Sequence, residues 1–289
     1  MGADGSDLRL AFGCGPEVLI PALRDWAPAP AVLLSYAYKE KYLSVLPHIA
    51  YRDWALDSGG FTAFYTGKPI DLAQYSRDAH YLLATDPTLT EVFTLDGAPG
   101  DWRTSLANTE YLWREGVPAI PIYHYGEPWE YLDHLRTAFP GKIAIGGAAK
   151  MRGRRKLAQV ITIMQRCWPI RAHALGFGGR SALLGAPFDS CDHTNWIVAP
   201  GQYATWRSFS SKGHNSPQWR HISLPSGKFT GGALRSEVRW YLDLERLARH
   251  AWAAKFAELA ATAPPWPPPR PLHADPTGVS DAVLARDRV

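Results

Sequence analysis

The stretch VFTLDGAPGDWRTSLANTEYLWREGVPAIPIYH, residues 92–124, indicates the fold of the chain. Its first residues, Val92–Asp96, are mostly apolar and predict a buried strand that ends in an aspartate. An amphipathic segment over Thr104–Gly116 predicts a helix, and Ala119–His124 predicts the next strand. This is the pattern of one βαβ unit, in which a helix joins two parallel strands.

The same alternation of apolar and amphipathic segments extends over most of the chain. Six further strands are predicted, at Leu8–Phe12, Ala31–Ser35, Trp54–Asp57, Lys142–Ile145, Ala172–Gly176 and Phe188–Asp192. The other predicted helices are Pro16–Trp26, Asp71–Leu83, Pro128–Phe139, Gly153–Cys167 and Arg180–Gly185. Eight strands with intervening helices favour a (β/α)8 TIM-type barrel over an open sheet. No G-x-G-x-x-G turn opens the first helix to support a dinucleotide-binding fold.

The last third of the chain has a different character. Residues Ile197–Thr230 are rich in Ser, Gly, Trp and Arg without a clean period, which predicts a long insertion over the barrel mouth. Leu234–Ala261 predicts one long helix packed against the barrel. The proline-rich stretch ATAPPWPPPRPLHADPTG then predicts a tail that is extended on the surface or disordered. We therefore expect one catalytic domain, residues 1–262, and a proline-rich tail, residues 263–289.

The composition is that of an ordinary globular protein, with 46% hydrophobic and 20% charged residues among 289. No apolar run is long enough to span a bilayer, and the first fifteen residues lack the pattern of a secretory signal. We therefore expect a cytoplasmic protein that does not contact membranes. The three cysteines, Cys14, Cys167 and Cys191, are far apart, which argues against a disulfide framework and a cysteine-rich zinc site.

The net charge of +4 is only mildly basic, and it permits binding to a polyanion without demanding it. Five cations nevertheless fall within the seven residues 150–156. This segment is either the solvated start of a helix or a patch that contacts phosphates. We assign a nucleic-acid-binding role to four of its residues, which directly follow a glycine turn: Arg152, Arg154, Arg155 and Lys156.

Polar residues follow the predicted strands where each strand ends. The carboxyl ends of the strands form one open face in a barrel, and functional residues gather there. Each residue alone fits a simple turn or a structural role, but together they predict several carboxylates facing one cavity. The candidates are Asp57-Ser58-Gly59-Gly60, Asp96-Gly97, His124, Gly146-Gly147, Asp189 and Asp192. Two such carboxylates suffice for displacement at an anomeric carbon with retention, but they do not identify the base or the acceptor.

Asp57-Ser58-Gly59-Gly60-Phe61 resembles the D-S-G-G-F signature of the guanine transglycosylase superfamily, whose members are (β/α)8 barrels. The segments Gly146-Gly147-Ala148-Ala149 and Leu175-Gly176-Phe177-Gly178 are similar to two glycine-rich segments of that superfamily. The similarity covers about residues 50–196. The resemblance implies that Asp57 handles protons in catalysis. It also implies a base-binding set, in which we place Ser58, Asp96, His124, Gly146 and Gly147.

Two aspartates compete for the role of nucleophile. Phe188-Asp189-Ser190 resembles the F-D-S or F-D-C of the enzymes that act on tRNA, which would make Asp189 the attacking residue. The segment from Ser190 to Trp196, SCDHTNW, resembles the S-x-D-S-T-S-W of phage and bacterial relatives that act on DNA, which would select Asp192. Residues three apart on a strand face opposite sides, so both cannot serve. Four matching positions against three favour Asp192.

The resemblance also bears on the substrate. The tRNA enzymes carry a C-x-C-x-x-C and histidine zinc site near the C-terminus, whereas this chain has no cysteine after Cys191. We therefore expect a DNA guanine transglycosylase, a pentosyltransferase that inserts a 7-deazaguanine base such as 7-cyano-7-deazaguanine and needs neither metal nor cofactor. The target guanine would have to leave the base stack. The alternatives are exchange in tRNA and a catalytically idle nucleic-acid-binding subunit that works with a protein partner.

Overall fold

A computed structural model describes residues 8–13, 16–147, 153–194, 196–197, 205–210, 218–223 and 231–263. Eight parallel strands form the main sheet: β1 Arg9–Gly13, β2 Ala31–Ser35, β3 Asp53–Asp57, β4 Leu89–Val92, β5 Ile122–His124, β6 Lys142–Gly146, β7 Arg171–Ala174 and β8 Ser190–His193. The helices of the described ranges include α1 Pro16–Leu23, α2 Lys39–Val45, α3 Gly60–Thr66, α4 Leu72–Thr85, α5 Trp102–Arg114, α6 Trp129–Ala138, α7 Gly153–Cys167, α8 Arg180–Leu183, α9 Gly231–Ala251 and α10 Ala253–Thr262.

The strands close into a barrel. Their order is β4-β3-β2-β1-β8-β7-β6-β5, which leaves β4 and β5 at the two ends of the sheet. The chain just after β4 meets the chain just before β5, because Thr94 N donates to Ile120 O at 3.0 Å and Ile120 N donates to Val92 O at 2.7 Å. These bonds complete the ring, and the predicted (β/α)8 fold is confirmed.

The barrel interior is lined by apolar side chains on alternate strand positions. Ala11, Ala31, Ala55 and Ala144 lie there with Leu33, Phe93, Ile120 and Ile122. The residues between them face outward and form a larger core with the surrounding helices. This division follows from the period of two along a strand.

The amino-terminal end of the barrel is filled by a buried network of ion pairs, which we call the floor network. It consists of Arg9, Asp53, Glu91, Lys142, Arg171 and Asp189. Lys142 is 2% exposed and its Nζ contacts the carboxylates of both Glu91 and Asp189. Burial would raise the pKa of Glu91, but the charges of Lys142 and Arg9 lower it to about 2. The network thus holds three cations and three carboxylates, and Arg52 adds a further ion pair with Asp53 from its more exposed side.

Several predicted boundaries differ from those observed. The fourth strand was predicted at Val92–Asp96 but is Leu89–Val92, since Glu91 points into the floor network and the following residues make only the closing bridge. The predicted insertion contains an antiparallel hairpin of β9 Thr205–Ser210 and β10 Gln218–Ser223. The predicted long helix is interrupted at Trp252 between α9 and α10.

Helices α2 and α3 were not predicted. Residues 264–289 of the predicted tail lie outside the described residues, as does Cys14. No helix in the described part of the chain combines the length and apolar character needed to cross a membrane.

Candidate active site at the barrel mouth

Three aspartates meet at the carboxyl end of the barrel. Asp57 is the last residue of β3, Asp192 lies near the end of β8, and Asp96 follows β4. Their closeness is seen in the pKa of Asp57, which burial raises to about 7 with further contributions from the charges of Asp96 and Asp192. The fold therefore brings these three carboxylates together, as their positions at strand ends predicted.

Asp192 is held by two hydrogen-bond donors. Its Oδ1 accepts a hydrogen bond from Gly176 N at 2.8 Å and lies 3.2 Å from His173 Nε2. The other ring nitrogen of His173, Nδ1, lies 2.7 Å from Ser190 Oγ. His173 is fully buried, and its ring packs against that of Phe93 with a centroid distance of 4.6 Å. The carboxylate of Asp192 is therefore oriented from inside the barrel, by a histidine that sequence analysis did not select.

The turn that carries Asp57 depends on glycine. Asp57 Oδ2 accepts a hydrogen bond from Gly59 N at 3.0 Å. Gly59 has φ of 79°, and a Cβ at this position would lie 2.8 Å from Ala37 N, so both backbone conformation and space require glycine. Ser58 is fully buried, and its Oγ accepts a hydrogen bond from Gly60 N at 3.3 Å. This contact stabilises the turn, and the base-binding role of Ser58 stays a prediction.

Asp96 forms an ion pair with His124 across the mouth. The Nε2 of His124 lies 3.3 Å from Asp96 Oδ2, and its Nδ1 lies 3.4 Å from Glu127 Oε1. Burial would lower the pKa of His124, but hydrogen bonds and charge interactions with these carboxylates raise it to about 9. Glu127 also accepts a hydrogen bond from His124 N at 2.7 Å. Sequence analysis missed Glu127. Its position three residues after a histidine at a strand end could have predicted the contact between the two.

The glycine pair after β6 makes room for His124. A Cβ at Gly146 would lie 2.7 Å from His124 Cδ2, and Gly147 has φ of 78°. A side chain at Gly146 would thus displace the histidine that contacts Asp96. The pair lies beside the candidate site, and its contact with a base stays a prediction.

Asp189 does not share this site. Although it is only three residues from Asp192, its carboxylate belongs to the floor network, where Arg171 Nη1 lies 2.8 Å from Asp189 Oδ1 and Lys142 contacts the other oxygen. Ser190 and Asp192 point into the barrel towards His173, whereas Asp189 precedes the strand at the opposite end. The placement of Asp189 in the catalytic set is therefore corrected.

The predicted phosphate contacts fall mainly outside the described part. Arg152 lies outside the described residues. Arg154, Arg155 and Lys156 lie in the first turns of α7, but their side chains are also outside the described part. Helix α7 begins after the carboxyl end of β6, which is the end of the barrel where the three aspartates lie. A contact with nucleic acid stays a prediction for all four residues.

Comparison with known proteins finds only distant structural likenesses. The chain matches no protein-family model, and comparison with curated proteins found no match. A mutant tryptophan synthase α-subunit from Pyrococcus furiosus is 12% identical, with a TM-score of 0.45 over 84% of this chain and 100% of that chain. The carboxyl transferase domain of Rhizobium etli pyruvate carboxylase is 11% identical, with a TM-score of 0.37 over 90% of this chain and 50% of that chain. Likenesses this distant carry no argument about function.

Proposed function

We propose that the chain is a guanine transglycosylase that exchanges a guanine in DNA for a 7-deazaguanine base through a covalent aspartyl intermediate. The observation that carries this proposal is that the carboxylates of Asp192 and Asp57 have different environments. Asp192 is oriented by Gly176 N and His173 Nε2, whereas Asp57 has a pKa raised to about 7. One environment suits a nucleophile and the other suits a group that gives and takes a proton near neutral pH.

In the proposed reaction, Asp192 attacks C1′ of the target nucleotide and the bond from C1′ to the guanine nitrogen breaks. The protonated form of Asp57 gives a proton to the departing guanine. The incoming base then loses its ring N–H proton to Asp57, attacks C1′ and releases the carboxylate of Asp192. Two displacements at the same carbon retain its configuration.

In this proposal Asp96 and His124 recognise the base. The carboxylate of Asp96 can accept hydrogen bonds from the N1 and amino groups of a guanine or a 7-deazaguanine. His124, with its pKa raised to about 9, is charged at neutral pH and pairs with the carboxylate of Asp96. Glu127 in turn fixes the imidazole from the other side. This arrangement supports recognition of a purine edge beside the two catalytic carboxylates.

The proposal is tested by incubating the protein with radiolabelled 7-cyano-7-deazaguanine and either double-stranded DNA or bulk tRNA. We expect label in DNA, and none with Asp192→Asn, which preserves size and hydrogen bonding but removes the nucleophile. Label in tRNA alone would overturn the choice of DNA. Absence of exchange in both, together with DNA binding that is unchanged in Asp192→Asn, would favour the idle binding subunit.

A further inference from the structure

Helix α3 exposes aromatic side chains at the edge of the candidate site. The helix spans Gly60–Thr66 and has no buried residue. Phe61 is 67% exposed, Phe64 54% and Tyr65 53%. Large apolar side chains that are exposed together commonly mark a binding surface.

The three rings form one continuous surface. Their spacing of three and four residues places them on one face of the helix. The ring centroids of Phe61 and Tyr65 are 4.5 Å apart, and those of Phe64 and Tyr65 are 5.2 Å apart. We call these three side chains the aromatic platform.

The platform begins at the barrel mouth. Helix α3 lies in the loop between β3 and α4, on the face that carries Asp57. Its first residue, Gly60, is so close to Asp96 that a Cβ there would lie 2.3 Å from Asp96 Oδ1. Helix α4, by contrast, supplies the buried residues Tyr75, Ala79 and Leu83 to the outer core. Helix α4 therefore covers the barrel in this βα unit, and α3 remains exposed.

The helix that carries the platform has no acidic residue of its own, which suits contact with a polyanion. The segment from Gly60 to Lys68 contains no acidic residue and ends in the exposed Lys68. Helix α3 packs against the short 3-10 helix Tyr36–Tyr38, whose Tyr38 is 42% exposed. The exposed Glu40 and Lys41 follow it in α2. Aromatic rings interleaved with cations are the usual composition of surfaces that bind single-stranded nucleic acid.

We propose that the aromatic platform binds unpaired bases of a DNA strand next to the nucleotide that enters the barrel, by stacking them on Phe64 and Tyr65. Extraction of a base from a duplex disturbs the stacking of its neighbours. A platform that begins beside Asp96 offers those neighbours a new stacking partner. This inference rests on the proposed function, because it assumes that a DNA base occupies the mouth.

The test uses the full chain and a single-stranded oligonucleotide that carries the fluorescent base 2-aminopurine next to its only guanine. Stacking quenches 2-aminopurine, so binding to the wild type is expected to change the fluorescence. We expect Phe64→Ala combined with Tyr65→Ala to weaken binding by about tenfold or more, as typical losses of base stacking imply, and to remove the fluorescence change. Leu247→Ala, at a 47% exposed position on α9, is the control for loss of an exposed apolar side chain and should change neither.

Unchanged affinity and fluorescence in the double variant would overturn the platform. A second result would also overturn the platform. If the wild type sediments as a dimer and the double variant as a monomer that binds DNA equally well, the aromatic surface joins two copies of the chain. Base exchange is measured separately on the same variants. Ring-dependent stacking without any exchange by the wild type would support the platform and overturn the proposed function.

Discussion

The Nε2 atom of His173 lies 3.2 Å from Oδ1 of Asp192, in a position fully shielded from solvent. Since Nδ1 of the same ring lies 2.7 Å from Ser190 Oγ, donation by the serine hydroxyl to Nδ1 leaves the Nε2 proton for Asp192. The histidine therefore acts as a positioning residue for the proposed nucleophile.

We expect His173→Ala to lower the rate of single-turnover base exchange by about tenfold to a hundredfold, because a misplaced nucleophile loses its near-attack geometry. The KM for DNA should change little, since His173 is fully buried. His173→Gln, whose amide can still donate to Asp192, should recover part of the rate. His134→Ala, at an exposed histidine on α6, is the control. Equal losses in the Ala and Gln variants would contradict a positioning role.

Asp192 and Asp189 should behave oppositely when the reaction is trapped. Without an incoming base the glycosyl-enzyme should accumulate as a protein–DNA adduct that is visible on a denaturing gel. Asp192→Ala should abolish the adduct. Asp189→Asn should still form it, but with a lower midpoint of thermal unfolding, because Lys142 and Arg171 lose a charged partner. If Asp189→Asn loses the adduct and Asp192→Ala keeps it, Asp189 is the nucleophile.

Asp57 should make the folded state less stable as the pH rises. Its pKa is about 7 in the folded protein against 3.8 for the free side chain, so between these values the folded protein holds a proton that the unfolded chain has released. The free energy of unfolding therefore falls as the pH rises from about 4 to about 7 through this group. Asp57→Asn should equal the wild type below about pH 4 and be more stable above about pH 7. Thermal melts across this range check the prediction, and a difference that is constant with pH would contradict it.

Lys142 should be the most sensitive member of the floor network. Lys142→Met leaves Glu91 and Asp189 each without one buried partner, and we expect a loss of about 3 kcal/mol or more in the free energy of unfolding. Arg166→Met is the matched control, because Arg166 and Asp133 form an ion pair whose side chains are 43% and 44% exposed. Its loss should lower the free energy of unfolding much less, because solvent screens an exposed pair. Urea denaturation measures both, and equal costs would show that burial of the network contributes little.

The extent to which the fold could be predicted varied with the strength of the local pattern. Strand β2 and helix α7 have the predicted bounds, Ala31–Ser35 and Gly153–Cys167, since β2 is a short apolar run and α7 repeats its apolar residues at a helical period. Helix α3 was not predicted, because its seven residues begin in a glycine turn and bury no side chain, so no apolar period marks them. Of the site, Asp57, Asp96 and His124 were found from their positions at strand ends.

The barrel and the end at which its aspartates gather follow from the order of residues alone, because alternation of strands and helices is a local property and parallel strands share a carboxyl end. The orientation of each aspartate, by contrast, depends on long-range packing. Asp189 and Asp192 differ by three positions, and the pairing of β8 with β7 sends one to Lys142 and the other to His173. Such pairings join residues far apart in the chain, at distances set by register and burial. No local pattern of residues encodes them.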